Sequence, residues 1–98
     1  MSKQKHFDLN LLRIFIAVYK HQSITKAAEE LDLTQSSVSN AIKRLQEKTV
    51  GKPLFIRSGG GIVPSSVANS FYAQVESSML NIDNALSSLD DFDPSLHH

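Results

Sequence analysis

Thr34, Gln35, Ser36, Ser37, Ser39, Asn40 and Lys43 crowd into a single short stretch of the chain. Apart from one lysine they are hydroxyl and amide side chains, which compete with helical hydrogen bonding. Their useful chemistry is recognition. An amide pairs bidentately with adenine, a serine hydroxyl bonds either donor or acceptor edges, and a lysine reaches guanine or phosphate. Interleaved with them, Val38, Ala41, Ile42 and Leu45 recur at helical spacing. Wound as an α-helix, the apolar set faces a core while Ser36, Ser39, Asn40 and Lys43 face outward, with Gln35 at the edge of that outer face. Gln35, Ser36, Ser39, Asn40 and Lys43 are therefore candidate base readers. Thr34, Ser37 and the free N–H groups of the first turn are candidates for phosphate. The blander account is a solvated polar face with a capping cluster. Glu47 lies on the same face and is repelled by phosphate, so a groove contact must end before it.

Such a face needs elements to hold it. The spacing predicts a helix from about Gln35 to Lys48, capped by Thr34. Before it, Ser23 can cap ITKAAEEL, which turns Ile24, Ala27, Ala28 and Leu31 inward. Asp32 falls between the two helices at a tight turn, where aspartate tolerates the left-handed conformation. Small Ala28 allows close approach, and Leu31, Leu33, Val38 and Ile42 are expected to fill the angle between the helices. Helix, tight turn, helix is the pattern of a helix-turn-helix. Further upstream, Asp8 can cap a first helix with an apolar stripe of Leu9, Leu12, Phe15, Ile16 and Tyr19. Ser23, Thr25, Lys26 and Arg44 can bind backbone phosphates, although each alone could be only a cap or a solvated charge.

Downstream, PLFIR and GIVP are short strand-like runs around Ser58-Gly59-Gly60, a hairpin with turn chemistry at its tip. A hairpin after a helix-turn-helix is a wing, and Arg57 on it is a further phosphate candidate. Ser65 then caps a long helix that ends before Pro94. Along it Ala68, Tyr72, Val75, Met79, Ile82, Leu86 and Leu89 alternate steps of four and three, a heptad seam. About 24 residues at 1.5 Å each extend roughly 36 Å, longer than so small a domain can cover. A partner helix in a homodimer is the better account, and two half-sites bound together raise affinity. The expected organisation is residues 1–64 as the binding head, 65–93 as the dimerisation helix and 94–98 as a disordered tail, whose His97 and His98 read as the remains of a purification tag.

Composition narrows the function classes. The net charge is zero, yet the charges are not evenly spread. Residues 1–60 hold ten bases against five acids, and residues 61–98 hold five acids and no Lys or Arg. That is the asymmetry of a basic head on a differently employed tail. Without cysteine there is no disulfide frame and no thiolate metal site, which suits a cytoplasmic protein. MSKQKHFD lacks the apolar stretch of a signal peptide, and no run is long enough to span a bilayer. His6 and His21 read as isolated surface residues. Gly59-Gly60-Gly61 has no following Lys and Ser/Thr to make a phosphate-cradling loop. No acid pair, metal cluster or nucleophile–base set stands out, so neither enzyme, metal nor cofactor is expected.

From Phe7 to Leu89 the chain resembles the amino-terminal DNA-binding region of LysR-type transcriptional regulators. The stretches that carry the resemblance are DLNLLRIFIAVYKHQSITKAAEELDLTQSSVSNAIKRL and VGKPLFIRSGGG. The resemblance implies a mainly α fold, a winged helix-turn-helix with a small hairpin wing and a long linker helix that pairs in a dimer. It implies double-stranded DNA as partner, interrupted palindromes as sites, and base reading at Gln35, Ser36, Ser39 and Asn40. Four departures stand against that pattern. Ser36 stands where many members have Pro, and Asn40 where many have Arg or Lys. Gly60 replaces a wing Arg that enters the minor groove, leaving Arg57 as the nearest substitute. QEKTVGKPLF is one residue longer than the usual spacing, so the helix end or the loop must differ there. Full-length members also carry an effector-binding domain that is missing here, so no effector ligand is expected. The rival reading is a winged helix that binds a partner protein, favoured by zero net charge and the absent wing Arg.

Overall fold

The Asp8 carboxylate accepts from the backbone N–H of Asn10 at 2.9 Å just ahead of the first helix, whose N-cap position falls one residue later than expected, on Leu9, with no side-chain cap bond. The computed structural model describes residues 8–92, with side chains for all of them except 49 and 90–92. The proposed tail, 94–98, lies outside the described residues. In order, the elements are α1 (Asn10–His21), α2 (Ile24–Leu31), α3 (Gln35–Leu45), a π turn (Gln46–Val50), β1 (Phe55–Ser58), β2 (Gly61–Pro64) and α4 (Ser66–Phe92).

The punctuation is local chemistry. Ser23 Oγ accepts from Lys26 N–H at 3.1 Å, Thr34 Oγ1 from Ser37 N–H at 3.0 Å, and Ser65 Oγ from Ala68 N–H at 3.1 Å. α2 ends at Asp32, which adopts the left-handed conformation with φ +58°. α1 ends the same way at Gln22, φ +52°, a position nothing in the sequence singled out. In the wing, β1 and β2 pair antiparallel, Arg57 opposite Ile62 and Ser58 opposite Gly61. The two-residue connection, Gly59-Gly60, has positive φ at both positions. That conformation matches the strand twist but strains any residue with a Cβ.

The core lies where α1, α2 and α3 meet. Phe15, Val18, Ala27, Val38 and Leu45 are fully buried, and Leu54 and Ala68 close it from the wing root and α4. Ala27 and Ala28 sit where α2 meets its neighbours, as close packing of the helix pair requires. Phe15 contacts the rings of Tyr19, Phe55, Phe71 and Tyr72, so one side chain joins α1 to the wing and to α4.

Three expectations need correction. α1 turns Leu11, Ile14, Phe15, Ala17 and Val18 into the core, whereas Leu9 is exposed and Leu12, Ile16 and Tyr19 are half-buried. This helix is apolar on two adjoining sides, and the deeper one is the face toward α2 and α3. Leu33 stays exposed instead of filling the interhelical angle, because the chain is still in the turn there and has not entered α3. The recognition helix ends as regular α-helix at Leu45, and Gln46–Val50 continue as one π turn closed by Gly51 at φ +77°. A π turn takes up an additional residue without reversing the chain. It falls in the segment whose length departs from the usual spacing.

α4 is the other departure. Ala68 is buried in the protomer's own core and Tyr72 is half-buried against it, while Val75 is buried at the groove between α1 and α4. The rings of Tyr19 and Tyr72 stack at 3.9 Å, nearly parallel, and their hydroxyls donate to Asn69 and Glu76. Burial, and then the neighbouring Glu76 carboxylate, hold the Tyr72 phenol above its ordinary pKa. The heptad seam is thus two surfaces. Its first half is intramolecular, and Ala68 is not available to a partner. Ile82, Leu86 and Leu89, in its second half, remain exposed.

Candidate nucleic-acid interface

α3 separates its two faces by residue type. Val38, Ala41, Ile42 and Leu45 are buried, and Gln35, Ser36, Ser39, Asn40 and Lys43 are all exposed on the opposite side. The candidate readers therefore share one solvent-facing surface of one rigid helix. Thr34 and Ser37 lie at its start. Thr34 Oγ1 donates to Ser37 Oγ at 2.8 Å while accepting the Ser37 N–H, so both hydroxyls are already engaged in the cap. They can still accept further bonds, and the other first-turn N–H groups point the same way.

The phosphate candidates lie at separate places. Ser23, Thr25 and Lys26 form the start of α2, where the Ser23 hydroxyl is likewise a cap and Thr25 and Lys26 are exposed. Arg44 is exposed in the last turn of α3. Arg57 stands on β1 and faces α3 across a cleft of about 410 Å³, whose walls include Ser39, Lys43, Gln46 and Glu47 on one side and Phe55, Arg57 and Ile62 on the other. Ser39, Lys43 and Arg57 are thereby brought together. Glu47, which was expected to limit the groove contact, sits on the same cleft wall.

Three features escaped the sequence. His21 is not isolated, since its Nε2 lies 2.7 Å from a Glu30 carboxylate oxygen and ties the end of α1 to α2. Gln46 Oε1 accepts the N–H groups of Leu54 and Phe55, a bond across eight or nine residues with no local signature. Arg13 joins Leu9, Leu12, Phe71, Val75, Met79 and Ile82 around a groove of about 490 Å³ between α1 and α4. Among the described residues no three His, Asp or Glu side chains gather as a metal site requires, and no helix is long and apolar enough to cross a membrane.

A helix-turn-helix followed by a two-stranded wing, with an exposed polar face on its second helix, defines a winged helix-turn-helix protein. Comparison with known proteins makes the class specific. Residues 9–69 match the family described as bacterial regulatory helix-turn-helix protein, lysR family, and the chain belongs to that family. It is 43% identical over 82 residues to the uncharacterized HTH-type transcriptional regulator YbdO of Escherichia coli, covering 84% of this chain and 27% of YbdO. It is 39% identical over 90 residues to the HTH-type transcriptional activator NahR of Pseudomonas putida, covering 92% of this chain and 30% of NahR. The chain thus spans under a third of these relatives' lengths. Among solved structures it resembles the BenM DNA-binding domain in complex with catB site 1 DNA, with a TM-score of 0.81 at 32% identity, over 94% of this chain and 97% of that one. The mainly helical fold with a hairpin wing, expected from the sequence, is the fold of LysR-type DNA-binding domains.

Proposed function

We propose that this chain is the sequence-specific DNA-reading part of a transcriptional regulator, with α3 in the major groove of double-stranded DNA. The observation that carries the reading is the α3 face, on which five side chains suited to base edges stand exposed together and no large apolar residue intrudes. Gln35, Ser36, Ser39, Asn40 and Lys43 read bases. Ser23, Thr25, Lys26, Thr34, Ser37, Arg44 and Arg57 anchor phosphates, which position the helix without carrying sequence information. The basic excess of residues 1–60 supports the same assignment. The likeness to BenM bound to DNA supports it too.

Residues 1–64 form the reading head and 65–93 the linker helix through which two copies pair. Ile82, Leu86 and Leu89 are 52%, 59% and 62% exposed, a stripe of large aliphatics in register along one helix. The apolar groove between α1 and α4 is of the kind such a stripe fills. A two-fold contact between copies would place each distal half of α4 in the other's groove, and two heads would then address the two halves of a palindrome. The working compartment is the cytoplasm, where the chromosome of a bacterial regulator lies. Reading and anchoring call for neither a cofactor nor an effector ligand.

Binding to a randomised duplex pool at two salt concentrations, with sequencing of the retained fraction, tests this. Enrichment of a two-fold symmetric motif is the expected result. Salt-sensitive retention without enrichment would leave phosphate anchoring and remove base reading. No retention at low salt would favour the protein-binding alternative, which the zero net charge supports.

A further inference from the structure

Gln46 occupies the junction between the recognition helix and the wing. Its backbone carbonyl accepts from Gly51 N–H at 2.7 Å and closes the π turn. Its side-chain Oε1 accepts from Leu54 N–H at 2.8 Å and from Phe55 N–H at 3.3 Å. β1 begins at Phe55, so one side of the wing root is fixed by an amide oxygen in the π turn that continues α3. The other side of that root is held by Ser65, whose N–H donates to the Leu54 carbonyl at 2.9 Å and whose hydroxyl donates to the Pro53 carbonyl at 2.9 Å. Both faces of the segment are thus fixed, one by the π turn that continues α3 and one by Ser65 just before α4.

The consequence lies in the cleft between α3 and the wing. Lys43 stands on one wall and Arg57 on the other, with Gln46 among the lining residues. With α3 in a major groove, the sugar–phosphate strand bordering that groove runs between helix and wing. A polyanion there is attracted from both sides only while the two cations keep their separation, and Glu47 on the α3 wall repels a strand that shifts toward it. We propose that Gln46 is a positioning residue for DNA binding: it holds the wing at the spacing from α3 that lets Arg57 grip the DNA strand bordering the groove in which Lys43 reads. The proposal rests on the DNA-reading function above, and it assigns the wing a phosphate-clamping role carried by Arg57 rather than by its glycine tip.

The test compares the native chain with Gln46→Leu, Gln46→Glu, Arg57→Ala and the double variant Gln46→Leu/Arg57→Ala. The probe is the duplex enriched from the randomised pool, or a mixed-sequence duplex if none is enriched, and affinity is measured across a series of salt concentrations. Arg57→Ala is expected to lower the log–log salt slope by about 0.9, the signature of one phosphate contact. Gln46→Leu removes no charge, yet it is expected to lower the slope by a similar amount. The double variant should bind no more weakly than the weaker single variant, because both lose the same contact. Gln46→Glu keeps an acceptor for both N–H groups, so it should protect the Leu54 and Phe55 amides against exchange where Gln46→Leu does not; its added charge beside Glu47 makes it a control for the position of the wing and not for affinity. A residue that merely stabilised the fold would shift the melting temperature and leave the slope alone.

A native slope in Gln46→Leu, or fully additive losses in the double variant, would overturn the proposal. Arg57 is exposed and its replacement does not threaten folding, so an unchanged slope in Arg57→Ala overturns it even if Gln46→Leu fails to fold. A native chain without salt-dependent binding would instead remove the DNA reading itself, and the proposal with it.

Discussion

Asn40 has an exposed amide in the middle of the reading face, and the helix beneath it is held by Val38, Ala41 and Ile42. Replacing it with alanine, Asn40→Ala, should relax base preference at one position of each half-site at a cost of about 1–3 kcal/mol. Sequencing the duplexes selected by the variant checks this, and an equal loss for every sequence would deny Asn40 a reading role. Thr34 has a different duty. Its hydroxyl satisfies the Ser37 N–H, so Thr34→Ala should destabilise the fold by about 0.5–2 kcal/mol while leaving base preference intact, as chemical denaturation and selection together would show. The two residues stand six positions apart: Asn40 is proposed to read a base, and Thr34 caps the helix in addition to its proposed phosphate contact.

At the scale of elements, Phe15 is the strongest single link, touching aromatic rings from the wing and from α4 while fully buried. Phe15→Ala should cost about 3–5 kcal/mol, as Phe-to-Ala truncations in cores do, and a thermal melt should fall accordingly. What was legible in the sequence follows the same division between local and distant. The caps at Ser23, Thr34 and Ser65, the left-handed Asp32, the glycine turn and the polar face of α3 are each decided within a few residues, and each is where the spacing put it. The core face of α1 is not decided locally, because LLRIFIAVY offers two apolar stripes and only the packed neighbours decide which goes deeper. The length of QEKTVGKPLF announced a local irregularity, but not that it would be a π turn. Gln46 and the buried half of α4 depend on residues distant along the chain, and the His21–Glu30 pair on how α1 meets α2. No spacing rule reaches them.

At the scale of the whole molecule, α4 runs about 40 Å at 1.5 Å per residue, and its far half leaves the body to which its near half is bound. A charge placed on that exposed half should leave the protomer intact and break only the pairing of copies. Leu86→Asp is the clean variant because Leu86 is already 59% exposed within its own protomer. Met79→Asp, closer to the body, should act in the same direction but also disturb the groove that Met79 lines. Sedimentation velocity should show Leu86→Asp as monomer with an unchanged melting temperature at low protein concentration. A sedimentation coefficient equal to that of the native chain would remove the dimer claim. The monomer should also lose more affinity for a full palindrome than for a half-site, since only the former uses two heads.

The stacked tyrosines give the chain an optical property of its own. It has two tyrosines, no tryptophan, and both phenols lie face to face where α1 meets α4. Ultraviolet absorbance and fluorescence of the folded protein therefore report on one joint. Events at the α3 surface are silent in tyrosine emission unless they move the linker helix against the head, and a change in that emission on adding DNA, once absorption by the bases is corrected for, would register the movement without any label.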